Sequence, residues 1–294
     1  MKAVIFYFTG SGNTKLIAKT YCDKFDKGSL IFPIGNPNNP IPNLGDFDII
    51  GIGMPIHAFN APEPVEKFAK SIPNGDKKIF IFRTSGEALH LNDCAARRTV
   101  RTLKKKGYQV VQDFHYLMPY NMIFRHTDQM AKHMWKYAKA LVEYNFRKLN
   151  DGVIDNVKYG WYRGWHLPLF RIEWWFARFN GKHFKVLEDR CIKCGLCEKV
   201  CPVGNVSIKD GKVTFGKNCA MCMGCSFNCP KAAINPGVFK KKWKINGSYR
   251  VEQLEKDDSI PFPCEDGTLN IKILKYKRYY KNADILLKDS GIEL

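Results

Sequence analysis

Eight of the eleven cysteines fall into two runs of identical rhythm, Cys191-x2-Cys194-x2-Cys197-x3-Cys201-Pro202 and Cys219-x2-Cys222-x2-Cys225-x3-Cys229-Pro230. An odd total argues against a fully disulfide-paired framework, and thiols this dense point to metal chemistry in a reducing compartment. Structural zinc takes four ligands per ion from paired C-x2-C knuckles. The x2, x2, x3 rhythm closed by proline is different. It is the bacterial [4Fe–4S] spacing, in which the fourth cysteine of each run ligates the other cluster. Three close-spaced cysteines wrap three irons of a cubane, and the fourth ligand must come from elsewhere in the fold. One cluster is therefore expected on Cys191, Cys194, Cys197 and Cys229, and a second on Cys219, Cys222, Cys225 and Cys201. Of the other thiols, Cys22 and Cys94 read as small buried hydrophobes and Cys264 as a loop thiol.

A second chemical feature lies near the N-terminus, where Thr9-Gly10-Ser11-Gly12-Asn13-Thr14 joins an apolar run to an amphipathic stretch. Its glycines let backbone N–H groups close on an anion, its hydroxyls add donors, and the helix start presents a positive end. No Gly-Lys-Ser/Thr follows, so it is not a Walker loop. The third glycine of the dinucleotide fingerprint is missing too, with threonine taking the turn into the helix.

Ile5-Phe6-Tyr7-Phe8-Thr9-Gly10-Ser11-Gly12-Asn13-Thr14 followed by Ala18 resembles the FMN-phosphate signature of flavodoxins. Tyr21 departs from that pattern, which usually has an aliphatic residue there, and is expected to pack in the core. The resemblance implies FMN at the carboxyl ends of the strands, at the switch point of the sheet. Two further loops would then flank an isoalloxazine ring, one through Pro55, Ile56, His57, Ala58 and Phe59, the other through Thr84, Ser85, Gly86 and Glu87. His57 and Glu87 are the candidates for hydrogen-bond or proton roles beside the ring, against the plainer roles of loop histidine and helix cap.

These loops need a scaffold, and residues 1–150 alternate strands and helices. Ala3–Phe8 is a solid apolar run, as a parallel strand buried on both faces requires. Leu30–Ile34, Asp48–Met54, Ile79–Phe82 and Tyr108–Leu117 supply four more strands. Between them, Thr14, Ile17, Ala18, Tyr21 and Phe25 share a helix face, Pro64 opens a second helix, and a third is expected through Leu91–Lys106. Met134, Ala138, Leu141 and Leu149 mark a last, long helix. The fold class expected is α/β, a flavodoxin-like doubly wound sheet of five parallel strands, with a small α+β ferredoxin-like two-cluster domain after it. The domain bounds expected are 1–150 for the FMN domain, 151–187 for an aromatic-rich linker, 188–236 for the cluster domain and 237–294 for a basic C-terminal extension. The cluster domain is too small to build much core unaided, so its clusters would staple it.

Composition bounds the rest. The 294 residues are 45% hydrophobic and 26% charged, which describes a globular chain long enough for two domains. No stretch reaches the roughly 18 apolar residues of a spanning helix, and Ala3–Phe8 is too short for a signal-peptide core. A cytoplasmic location is expected. Lys and Arg number 47 against 28 Asp and Glu, a formal +19, of which +10 lies in 1–150 and +3 in each of the three later segments. Eight thiolates, two 2+ cluster cores and an FMN dianion would reduce this to about +13. The basic runs Lys240-Lys241-Lys242-Trp243-Lys244 and Lys275–Lys281 fall in the last segment. No nucleic-acid module is recognisable, so nucleic acid is not expected as a partner.

Residues 151–187 hold Trp161, Tyr162, Trp165, Phe170, Trp174, Trp175, Phe176 and Phe179. Trp with Arg suits a membrane interface, so a peripheral membrane contact is one reading. Arg163, Pro168, Arg171, Glu173 and Arg178 break a clean helical stripe, which favours packing between the two cofactor domains instead.

A flavodoxin-like domain followed by a two-cluster ferredoxin resembles the fused flavodoxin–ferredoxin proteins of anaerobic bacteria and archaea, over about two thirds of the chain. That implies electron transfer from cluster to cluster to FMN and on to a redox partner. The positive charge favours an acidic carrier such as a ferredoxin, flavodoxin or rubredoxin. The alternatives are an FMN-dependent reductase of a small substrate fed through the clusters, and a peripheral membrane electron donor.

Overall fold

The computed structural model describes residues 1–35, 40–120, 125–155, 157, 159, 164–239, 249–263 and 274–294. Expectations for Trp161, Tyr162, Arg163, the Lys240–Lys244 run, Cys264 and the side chain of Lys275 lie outside the described residues.

β1 (Ala3–Tyr7) is buried along its whole length, which its unbroken apolar sequence dictates. It is followed by α1 (Asn13–Cys22), β2 (Leu30–Pro33), β3 (Ile49–Pro55), α2 (Glu63–Ser71), β4 (Lys78–Ser85), α3 (Arg97–Lys105), β5 (Gln109–Leu117) and α4 (Asp128–Asn150). The strands form one parallel sheet in the order β2-β1-β3-β4-β5. This is the flavodoxin-like doubly wound order, with its switch point between β1 and β3. Helices α1 and α4 share one core with one face of the sheet. Helices α2 and α3 cover the other face through Val65, Phe68, Val100 and Leu103.

The helix expected over Leu91–Lys106 is split. His90–Cys94 is a 3₁₀ turn, and α3 starts only at Arg97. Asn92 explains the break: its amide donates to the Glu87 carbonyl at 3.0 Å, and its own carbonyl accepts from Arg83 Nη1 at 2.5 Å. Both bonds tie the turn to the end of β4. Tyr21 is fully buried, and its hydroxyl meets that of Tyr116 at 2.6 Å, while Asn145 donates to Tyr116 at 3.0 Å. The departure from an aliphatic residue is thus accommodated by a closed polar network beneath the sheet.

Beyond α4 come α5 (Leu167–Phe170), α6 (Ile172–Gly181), β6 (Lys185–Val186), α7 (Leu196–Lys199), β7 (Val206–Lys209), β8 (Lys212–Phe215), α8 (Gly224–Phe227) and β9 (Ile234–Asn235). The cysteine segment is a structural repeat. Left-handed residues recur 28 positions apart, at Lys193 and Met221, Gly195 and Met223, and Gly204 and Ala232. Strands β6 and β9 pair antiparallel and tie its ends together, and β7–β8 is a hairpin turned at Asp210-Gly211, both with positive φ.

The described part of 249–294 is an added layer. Helices α9 (Val251–Lys256) and α10 (Leu274–Asp289) lie on α4, and Tyr249, Val251, Tyr276, Tyr280, Ala283 and Leu287 join its core. Among the described residues, no helix is long and apolar enough to cross a membrane.

Candidate functional site

The carboxyl ends of the sheet strands open into a cavity of about 330 Å3. Thr9, Gly10, Ser11, Asn13 and Thr14 form one wall, Pro55, Ile56, His57, Ala58 and Phe59 a second, and Thr84, Ser85, Gly86 and Glu87 a third. All of them are among the residues expected from the sequence to surround FMN. Gly12 is the exception: it lies outside the wall, starts α1 with φ 101°, and its N–H donates to Thr9 Oγ1 at 3.0 Å. First-turn amides of a helix have no intrahelical acceptor, and α1 carries no acidic residue in its first turn. The loop therefore suits an anion. Thr14 and Thr84 close its floor, hydroxyl to hydroxyl at 2.8 Å.

The second wall is a tight reverse turn. His57 and Asn60 exchange backbone hydrogen bonds of 2.9 and 2.8 Å, with Ala58 at φ 40° and Phe59 at φ 64°. Two consecutive left-handed residues that are not glycine cost conformational energy and need support from outside. It comes from α5. Phe59 packs edge-on against Phe170 with centroids 4.8 Å apart, and Asn60 donates to the Leu167 carbonyl. Helix α6 is held to α2 by Arg171–Glu66 at 3.2 Å and by Arg178–Glu63.

This brings Glu173, missed from sequence, into the cavity wall. Its Oε1 lies 3.8 Å from His57 Nδ1, and its buried Oε2 has no hydrogen-bond partner among the described residues. Burial holds the Glu173 carboxyl up at about 7 and pushes His57 down to about 4. The contact near neutral pH is thus made with an uncharged imidazole. The available signal was that Glu173 is the sole carboxylate of 164–182, set among Ile172, Trp174 and Trp175. Pro119, Tyr120, Leu89 and Asn92 also join the wall without having been selected.

Raising a carboxyl above its ordinary value of 4.5 costs stability as pH rises, because the unfolded chain releases the proton first. The penalty grows from about pH 4.5 to about pH 7. Glu173→Gln removes the ionisation, so the FMN-free variant is expected to gain up to about 3 kcal/mol on wild type by pH 8, and little at pH 4.5. Unfolding curves at the two pH values check this; parallel behaviour of the two proteins would refute it.

The cysteine segment closes the cavity. Met221 and Cys222 stand in its wall beside the loop at Thr9–Thr14. The approach is close: a Cβ on Gly10 would lie 1.9 Å from the Cys222 carbonyl oxygen, and Asn228 Nδ2 donates to the Gly10 carbonyl at 3.3 Å. Gly181, at the end of α6, abuts Cys219 in the same way, with a Cβ position 2.2 Å from Cys219 Cβ.

The eight cysteines separate into two groups. Cys191, Cys194, Cys197 and Cys229 surround one small cavity walled by Val186, Ile192, Leu196, Val213 and Ile234. Cys219, Cys222, Cys225 and Cys201 are electrostatic neighbours of one another. Backbone amides of Asn205, Met221 and Ala233 donate to the sulfurs of Cys201, Cys219 and Cys229 at 3.1–3.3 Å. Burial pushes the Cys222 thiol up to about 12 and Cys219 to about 11. As free thiols they keep their protons, and binding a metal there must release them. The groups differ in exposure, with Cys222 buried and Cys194 exposed. Cys94 is buried and Cys22 half-buried in the first helix.

Residues 184–207 match the family described as 4Fe-4S binding domain. A polyferredoxin protein of Methanothermus fervidus is 34% identical over 93 residues, 29% of this chain and 21% of that protein. An uncharacterized protein of Methanocaldococcus jannaschii is 35% identical over 69 residues, 24% of this chain and 27% of that one. The chain thus spans only about a quarter of the curated relatives it matches. Among solved structures, a flavoprotein in complex with FMN from Lactobacillus acidophilus is similar over 39% of this chain and 92% of its own, at 17% identity and a TM-score of 0.34. Oxidised flavodoxin 2 from Bacillus cereus covers 39% of this chain and 83% of its own, at 25% identity and a TM-score of 0.33. The chain thus joins a sheet of flavodoxin-like strand order to a segment that matches a 4Fe-4S binding domain.

Proposed function

We propose that the protein carries electrons between two [4Fe–4S] clusters and an FMN, and passes them to a redox protein. The observation that carries this reading is the position of Cys222. It belongs to one cysteine group and also stands in the wall of the cavity built by the Thr9–Thr14, Pro55–Phe59 and Thr84–Glu87 loops. FMN would supply one- or two-electron chemistry and each cluster one-electron chemistry. Thr9–Thr14 would hold the phosphate, and the other two loops would flank the ring. Cys191, Cys194, Cys197 and Cys229 would hold the outer cluster, and Cys219, Cys222, Cys225 and Cys201 the inner one. Met221 and Cys222 would lie between the inner cluster and the flavin, excluding water from the path.

The exposed Cys194 marks the outer group as the end nearer solvent, and the formal +19 suits an acidic carrier docking there. Added salt should weaken that transfer. A reductase of a small substrate is the second reading, favoured by the Glu173–His57 contact in the cavity wall; turnover without a protein acceptor would select it.

Anaerobic titration with dithionite, followed by absorbance and EPR, tests the main reading. About four electrons per chain are expected, one per cluster and two for the flavin, with about eight irons. Iron without flavin at micromolar FMN would overturn the assignment of the Thr9–Thr14 loop.

A further inference from the structure

Helix α6 has two faces with opposite surroundings. One carries Glu173 into the cavity and Ala177 into the small core of the cysteine segment. The other carries a stripe that the interspersed Pro168 and charged residues hide in the sequence. Trp165, Leu169, Ile172, Trp175 and Phe179 follow one another three or four residues apart from the turn before α5 to the end of α6, and they are 76, 65, 73, 78 and 49% exposed. The expectation that these charges would spoil a stripe is therefore corrected: Arg171 and Arg178 turn sideways to Glu66 and Glu63, and Glu173 turns inward. Packing of the linker against the sheet domain and the cysteine segment accounts for the inner face alone.

We propose that this outer face docks the protein on an anionic lipid surface. A helix face lying in a bilayer interface presents tryptophan and aliphatic side chains to the headgroup boundary, with cations beside them. Here the stripe contains no acidic side chain, and exposed Lys182 follows it at the end of α6. The chain's excess of 19 positive charges adds attraction to an anionic surface.

Size argues against a second copy of the chain as the occupant. A stable dimer takes about 20–30 residues from each side, and this stripe offers five large side chains. Transient redox encounters are small as well, but they rest on facing charges, and the centre of this stripe has none. A bilayer asks only for shallow burial of apolar side chains. Docking this way would hold the cavity about one helix diameter from the headgroups, on the far side of α6.

Flotation of the cofactor-loaded protein tests the proposal. Vesicles of phosphatidylcholine with phosphatidylglycerol are compared with vesicles of phosphatidylcholine alone. Wild type is expected to float with the anionic vesicles, and Trp175→Glu and Ile172→Glu to lose about tenfold or more in partitioning. Both positions are solvent-exposed, so unchanged visible absorbance would show that the variants retain their cofactors. Absence of flotation overturns the proposal. So does equal flotation of the variants, which would assign binding to net charge alone. Sedimentation velocity supplies the remaining arm: a wild-type dimer dissolved by Trp175→Glu would give the face to a second copy.

Discussion

Gly10→Ala is expected to disturb both halves of the protein through one methyl group. The new Cβ would sit 1.9 Å from the Cys222 carbonyl oxygen and 3.0 Å from Cys222 Cβ. Those neighbours are backbone and a short side chain, so they cannot swing aside. Forcing atoms into a packed site costs about 1–3 kcal/mol. If that cost falls on the bound state of the anion loop, FMN affinity drops by about 5- to 150-fold. The same displacement pushes Cys222 from its place beside Cys219, Cys225 and Cys201, so the EPR signal of the inner cluster proposed there should change as well. Gly12→Ala is the control. Its Cβ would meet nothing within 4 Å, and the positive φ of 101° is the only source of cost. That penalty is about 1–2 kcal/mol of backbone strain, felt at the start of α1 and not at the cysteine segment. FMN titration and EPR of the two variants, side by side, separate the effects. Equal cluster signals in Gly10→Ala and wild type would show that the two loops are not coupled.

Much of this site was written in local sequence. The five strands were legible because a parallel strand covered on both faces must be apolar throughout, as Ala3–Tyr7 and Ile49–Met54 are. The three cavity loops were legible because turns at strand ends need glycine, proline and hydroxyl residues at fixed places. What escaped depends on contacts between distant segments. The break at Asn92 follows from its bonds to Glu87 and Arg83, which no helical period announces. Glu173 reaches the cavity because Phe59 packs edge-on against Phe170 and Asn60 donates to the Leu167 carbonyl, bringing α5 and α6 against a turn more than a hundred residues earlier. The exposed stripe on α6 was obscured for the same reason: which faces the arginines take depends on Glu63 and Glu66 of α2. In α10, Tyr276, Tyr280, Ala283 and Leu287 do follow a helical period, but Lys277, Arg278 and Lys281 between them make the segment read as a basic C-terminal extension.

The asymmetry between the two cysteine groups gives the other large effect. In the proposed assignment Cys222→Ser and Cys194→Ser each remove one cluster ligand, and each should lower iron from about eight to about four atoms per chain. Their consequences for the cavity differ. Cys222 is 9% exposed, belongs to the core of the sheet face covered by α2 and α3, and stands in the cavity wall. Its loss leaves the outer group isolated from the flavin loops, so a reduced acidic carrier should no longer reduce the flavin on the time scale of wild type. Cys194 is exposed, on the cysteine group that does not line the cavity. Its loss should leave the inner group and the cavity intact, with flavin reduction by dithionite unchanged and only delivery from the carrier slowed. FMN fluorescence on binding guards against a trivial cause, since a polar hydroxyl at position 222 also weakens an apolar contact. The informative outcome is therefore normal FMN affinity with lost carrier-driven flavin reduction in Cys222→Ser. Matching kinetics in the two variants would mean that the inner group does not stand between the outer one and the cavity, and that electrons take a different route through the protein.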